Sequence, residues 1–214
     1  MNPYHKINTI WKRDKKTGEV LDGQFSCDEF EYLANCRWEW TEKVDGTNIR
    51  VIRSEGRWEF RGKSDNASIP APLVEFLRGH FERWIPPAIG DDNLTLYGEG
   101  YGWKIQKVGP SYKKDPAFIL FDVRVGEFWL RREDVVEVAS KFGVPIVPIV
   151  GHGTLREACE YVQSHRASLV AEDKTLESEG LVLRPIVRLL DAGSHRVISK
   201  IKAVDYRKLS ARGE

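Results

Sequence analysis

The chain has 214 residues, 33 Lys and Arg against 32 Asp and Glu for a formal charge of +1, and 41% hydrophobic residues. That length supports a buried core, and seven Trp with seven Tyr and nine Phe exclude a disordered chain, which needs low hydrophobicity and high net charge. No run approaches the ~20 apolar residues of a membrane helix and the first residues lack an apolar signal core, so a soluble cytoplasmic protein without a membrane partner is expected.

From Arg37 to Arg53, short β-rich runs surround Lys43-Val44-Asp45-Gly46. Val51-Ile52 then leads through Ser54-Glu55-Gly56-Arg57 into Trp58-Glu59-Phe60, the pattern of a hairpin. Pro72 followed by Leu73, Val74, Phe76, Leu77 and Phe81 predicts a helix with proline in its first turn, ending before Pro86-Pro87. Leu94–Tyr97 and Ala117–Val123 read as buried strands, and Arg131–Phe142 as a helix closed by Gly143. The proline-interrupted run Val144–Val150 suits an edge segment better than a central strand. Thr154, with Glu157 three residues on, forms a capping box for a helix whose apolar face is Leu155, Ala158, Tyr161 and Val162. Leu181–Leu183 and Val197–Ile201 are the last strand candidates. No repeat or low-complexity linker interrupts the chain, so the expectation is one α+β domain over 1–214, with mainly antiparallel sheets flanked by helices.

Cys27, Cys36 and Cys159 are spaced for neither a zinc site nor a disulfide framework, which favours a reducing compartment and reads them as packing residues. The near-zero total charge hides an uneven distribution. Arg184, Arg188, Arg196, Lys200, Lys202, Arg207, Lys208 and Arg212 face only Asp191, Asp205 and Glu214, so the C-terminal segment is either a solvated basic edge or a nucleic-acid face.

A lone Lys-x-Asp-Gly occurs in many exposed turns. Here Glu42-Lys43-Val44-Asp45-Gly46-Thr47-Asn48 is followed in order by Leu96-Tyr97-Gly98-Glu99 and by Phe118-Ile119-Leu120-Phe121-Asp122. Glu179-Gly180-Leu181-Val182-Leu183-Arg184 and Lys200-Ile201-Lys202 complete the series. The series resembles the motifs of the covalent lysine nucleotidyltransferases, which include ATP and NAD ligases and mRNA capping enzymes. Within them, Gly46-Thr47-Asn48 and the segment Tyr97–Lys107 look most like the RNA ligases of the phage double-strand-joining and kinetoplastid-editing type. The resemblance spans Trp38 to Arg207.

The chemistry explains these residue types. A lysine attacks the α-phosphate of ATP only as a free amine, which nearby cations or a divalent metal favour. Lys200 and Lys202, one residue apart on a strand, point to one face and can direct two positive charges at the phosphates. The resemblance makes Lys43 the nucleophile and Glu179 the carboxylate that holds Mg2+ or Mn2+ through water. It places Glu99 near the ribose, Phe121 against adenine, Glu42 and Asn48 at the nucleotide flanking the lysine, and Arg184 at a phosphate. Lys63 matches a basic residue that contacts phosphate or the 5′ end, a role open equally to Arg61.

The resemblance implies three steps: lysyl-AMP formation with release of pyrophosphate, AMP transfer to a 5′-phosphate, and displacement of AMP by a 3′-hydroxyl. RNA is the favoured nucleic-acid substrate; a DNA nick ligase and, further off, a capping guanylyltransferase stand as alternatives. Two positions depart from the pattern. Asp45 stands where the RNA-ligase branch often has histidine, and Arg184 where the motif usually ends in lysine. With twelve residues after Lys202, the expectation is a catalytic domain without a C-terminal oligonucleotide-binding barrel or helical module, served by an accessory clamp protein.

Overall fold

The computed structural model describes residues 3–83 and 93–210. In chain order the first elements are β1 (Asn8–Thr9), β2 (Trp11–Arg13), β3 (Val20–Phe25), α1 (Asp28–Tyr32), β4 (Trp38–Glu42), β5 (Thr47–Ser54) and β6 (Arg57–Arg61). Then come α2 (Ala71–Phe81), β7 (Leu94–Tyr101), α3 (Gly109–Tyr112), β8 (Ala117–Val125), β9 (Phe128–Trp129) and α4 (Arg132–Phe142). The last are β10 (Ile149–Gly153), α5 (Leu155–Gln163), β11 (Gly180–Pro185), β12 (Ser199–Lys202) and α6 (Ala203–Ser210). The fold is α+β, and every strand pair but β1 with β12 is antiparallel.

The chain packs as two compact units. One comprises Val44–Val147 with Tyr4 and Val170–Asp173. Its sheet has the order β6-β5-β7-β8-β9. Alternation along the strands sends Ile49, Val51, Leu94, Leu96, Phe118, Leu120 and Val123 to one face, where they pack with Leu73, Leu77 and Phe81 of α2 and Val135, Ala139 and Phe142 of α4. The β5–β6 hairpin turns at Glu55 and Gly56, both at positive φ (50° and 71°), as a two-residue hairpin loop requires. Gly143 closes α4 in the left-handed conformation, φ 63°.

The other unit comprises His5–Lys43, Pro148–Leu169 and the chain from Lys174 onward. Its main sheet has the order β1-β12-β11-β4-β10, with a two-stranded β2-β3 sheet beside it. Trp38, Trp40, Leu181, Leu183 and Ile201 face a core shared with Leu155, Ala158 and Val162 of α5. The capping box at Thr154 is present: its hydroxyl accepts from the Glu157 backbone N–H, and the Glu157 carboxylate accepts from the Thr154 backbone N–H at 2.7 Å.

The expected elements are found, several of them longer than the sequence reading. The proline-interrupted segment becomes strand only from Ile149, at a sheet edge, because Pro145 and Pro148 have no N–H for a ladder. Cys159 is buried and its thiol is pushed up to about 11 by loss of water, whereas Cys36 is exposed and does not pack as expected. The helix stop at Pro86-Pro87 and Arg212 of the basic tail lie outside the described residues. Among the described residues, no helix is long and apolar enough to cross a membrane. Replacing Thr154 by Ala removes the cap on α5 and is expected to lower stability by about 1 kcal/mol. Urea unfolding would check this: a lower midpoint at unchanged slope is the expected result, and an unchanged midpoint refutes it.

Candidate active site

In the second unit, β4, β11 and β12 lie side by side, with Leu181 in register with Glu42 and Ile201, and Val182 with Thr41 and Lys200. Leu181, Leu183 and Ile201 occupy the core face, so Val182, Arg184, Lys200 and Lys202 line the opposite one. Lys43 follows β4 directly, its backbone N–H bonded to the Gly180 carbonyl at 2.9 Å. The Glu179 carboxylate lies between two ammonium groups: Lys43 Nζ is 2.5 Å from Oε2 and Lys202 Nζ is 3.1 Å from Oε1. All three side chains are partly exposed, the condition for reaching a ligand.

Gly180 makes this geometry possible. Its φ is +148°, and a Cβ there would sit 2.0 Å from the Ile201 carbonyl oxygen. Only glycine lets β11 start so close to β12, with Glu179 immediately before it. Arg184 is the cross-strand partner of Glu39 on the same face, so two opposite charges face each other across the strands.

Glu42 belongs to a different environment. It shares the core face with Trp38 and Trp40 and is 2% exposed. Its carboxylate accepts from the Ser168 hydroxyl at 2.5 Å and from the Leu169 backbone N–H at 2.8 Å. A buried carboxylate needs such donors, and these two tie the strand that leads into Lys43 to the segment after α5. That segment is itself held by backbone bonds between Ser168 and Leu176 and between Ser178 and Arg166, and by the His165–Glu177 pair. Glu42 and Lys43, adjacent in sequence, thus serve opposite faces of the sheet.

In the first unit, the face of β5, β7 and β8 away from the core carries Asn48, Arg50, Tyr97, Glu99 and Phe121. Asn48 and Glu99 are cross-strand partners, and among the described residues Asn48 Oδ1 is buried without a hydrogen-bond partner. The register shifts between Tyr97, opposite Asp122, and Gly98, opposite Leu120. Phe121 is therefore the extra residue of a β-bulge, a feature common beside functional sites. It is half-buried rather than plain core, with the Tyr4 ring edge-on at 5.1 Å, and the Tyr4 hydroxyl donates to Asp122 Oδ2 at 2.8 Å. Burial pushes the Tyr97 phenol above its ordinary range.

Asp45 and Gly46, which follow Lys43 and Val44, are fixed within this unit. A Cβ at Gly46 would lie 2.2 Å from the Gly100 carbonyl oxygen, and the Asp45 N–H donates to Tyr112 Oη at 3.3 Å. Lys63 is exposed in the loop after β6. Arg50, fully buried, holds that loop through the Gly62 carbonyl at 2.9 Å and Asp65 at 2.8 Å, and its guanidinium keeps the Asp65 carboxyl below its usual range. Arg61 shares the Arg50 face and pairs with Glu59 at 2.9 Å.

The structure thus gathers Lys43, Glu179, Lys200, Lys202 and Arg184 on one face of one sheet, and Asn48, Glu99 and Phe121 on one face of the other. Glu42 and Lys63 stand outside these sets. Sequence reasoning missed Ser168, the Leu169 N–H, Arg50 and Tyr4; of these only Arg50, a charge inside the apolar run Ile49–Ile52, left a trace in the sequence.

The RNA ligase family model matches residues 37–202, and the chain belongs to that family. Comparison with curated protein sequences gives no match. Solved structures of Naegleria gruberi RNA ligase are similar in fold. An apo variant has a TM-score of 0.59 at 22% identity, over 85% of this chain and 53% of that one. The form with pyrophosphate gives 0.57 at 23%, over 85% and 53%, and a variant with ATP and manganese 0.57 at 22%, over 85% and 54%. The chain spans about half the length of these ligases.

The Glu42 latch makes a stability prediction. Ser168→Ala leaves a buried carboxylate short of a donor and is expected to cost about 1–3 kcal/mol. Chemical denaturation measures it, and a change no larger than that of an exposed serine would show that the latch carries no weight.

Proposed function

We propose that this chain is the adenylyltransferase part of an ATP-dependent RNA ligase that acts through a lysyl-AMP intermediate. The observation that carries this reading is the Glu179 carboxylate between Lys43 and Lys202. Membership of the RNA ligase family and the fold likeness to a ligase solved with ATP and manganese support it.

Lys43 Nζ, as a free amine, attacks the α-phosphorus of ATP. The N–P bond forms, the nitrogen gives up one proton to solvent, the bond to the bridging oxygen breaks, and pyrophosphate leaves with its electron pair. Lys200 and Lys202 hold phosphate oxygens and offset the charge that builds on them. A 5′-phosphate oxygen then attacks the lysyl-AMP phosphorus and releases Lys43, whose nitrogen takes a proton from solvent, and a 3′-hydroxyl attacks the activated 5′-phosphorus, gives its proton to solvent and releases AMP. Phe121 stacks adenine, Glu99 takes the ribose, and the orphan Asn48 Oδ1 accepts a hydrogen bond from the nucleotide or the nucleic acid. Arg184 and Lys63 bind phosphates, while Glu42 sets the strand before the nucleophile.

Among the described residues no group of three or more His, Cys, Asp or Glu could cage a metal. Magnesium needs no such cage, because it keeps several waters and takes one or two carboxylates together with substrate phosphates. Glu179 fits that requirement and is the residue that would hold Mg2+ or Mn2+, which supplies positive charge at the phosphates. RNA ends bearing 5′-phosphate and 3′-hydroxyl are the proposed substrates, and an accessory clamp protein belongs to the same proposal.

Incubation with each labelled nucleoside triphosphate and magnesium tests the reading. ATP is expected to leave AMP on the protein as an acid-labile, base-stable phosphoramidate that Lys43→Ala abolishes. Lys200→Ala and Lys202→Ala are expected to cut its formation by roughly a hundredfold each, the loss of about 2.7 kcal/mol of transition-state stabilisation. AMP retained on Lys43→Ala at the wild-type level refutes the nucleophile assignment, and retention of GMP in its place refutes the ligase reading.

A further inference from the structure

The segment after β7 has no role in the chemistry described above, yet it is built with unusual care. Gly102 turns the chain at φ +99°, where a Cβ would lie 2.2 Å from the Asp115 carbonyl oxygen. Lys104 follows at φ +61°, a conformation that non-glycine residues rarely adopt. Backbone bonds from Ile105 to Gly102 and from Gly109 to Gln106 close the turn. The Gln106 amide donates to the Gly46 carbonyl at 3.0 Å, fastening it to the glycine three residues after Lys43. Ile105 packs against the apolar core of this unit, and the larger Trp103 is left 41% exposed.

A single exposed hydrophobic residue is ordinary on a protein surface. Trp103 differs in its company. Lys104 Nζ lies over the indole ring, 4.1 Å from its centre. From Trp103 to Lys114 the chain also carries Lys107, Lys113 and Lys114 and no acidic residue, and Lys107 and Lys114 are exposed. An exposed π-surface with one lysine over it, in a stretch of chain that carries three more, matches a polymer that alternates phosphates with flat bases.

We propose that Trp103 and Lys104 form a docking platform for the RNA strand, the indole stacking on a base while Lys104 and Lys107 take phosphates. A phosphate that draws the Lys104 ammonium aside uncovers the ring face on which a base stacks. This rests on the RNA ligase reading and adds the place where the substrate strand is gripped.

The test is fluorescence-anisotropy binding of a labelled, 5′-phosphorylated single-stranded RNA to the full chain, with lysyl-AMP formation measured in parallel. Trp103→Ala is expected to weaken RNA binding roughly tenfold to a hundredfold, and Trp103→Phe to restore most of it. Lys104→Ala is expected to reduce the slope of log affinity against log salt by about 0.7 between about 50 and 200 mM. Both variants should form lysyl-AMP at the wild-type rate. Unchanged RNA affinity in Trp103→Ala and Lys104→Ala overturns the platform, as does equal loss of RNA binding and lysyl-AMP formation, which marks a disturbed fold. A wild-type chain that binds RNA through Trp103 but forms no lysyl-AMP would leave the platform standing and remove the ligase reading instead.

Discussion

One carboxylate is shared by two lysines. Glu179 stands 2.5 Å from Lys43 and 3.1 Å from Lys202, so three charged side chains from three stretches of sequence meet at one point. The arrangement exists only if β4, β11 and β12 keep their register, since a slip of one residue would send Lys202 to the core and Ile201 to the surface. Register in turn is set by the apolar partners on the other face, where Leu181, Leu183 and Ile201 pack with α5. Core burial therefore specifies where the charges go, and the charges need add little stability themselves, as partly exposed ion pairs generally do not.

The same alternation sorts neighbouring residues into different tasks. Glu42 is buried with its donors while Lys43, next in the chain, meets Glu179. In the other sheet, Gly98 and Gly100 lie on the core face and Glu99 between them projects the other way. Each motif thus carries its chemistry on alternate positions and its anchoring on the rest.

This explains what could be read without coordinates. Lys43, Glu99, Glu179, Lys200 and Lys202 stand out in the sequence by their types and their order, and α4 and α5 by the local signals of Gly143 and the Thr154 capping box. Ser168 was invisible: it bonds to Glu42 across 126 positions, and one serine carries no mark of that. The bulge at Phe121 was also hidden, because an extra residue is a fact about two strands and their register. The short strands β1 and β2 have too few residues for a period, and α6 was missed because it starts directly after β12 without a turn signal.

The shared carboxylate also bears on the order of events at Lys43. In the proposed reaction Lys43 must leave its contact with Glu179 before it attacks, because an ammonium has no lone pair for phosphorus. Lys202 is bound to the other oxygen of the same carboxylate, so whatever draws Glu179 away releases two cations together. In the proposed reaction Lys43 then turns to the α-phosphorus and Lys202 to the phosphate oxygens. In that proposed reaction nucleotide binding and release of Lys43 are one change rather than two, and the carboxylate that contacts Lys43 is the same group that would hold a divalent ion. A glutamine at position 179 could still bond both lysines but could neither balance their charge nor hold the ion well, which is why a carboxylate, and not merely a hydrogen-bond acceptor, belongs there.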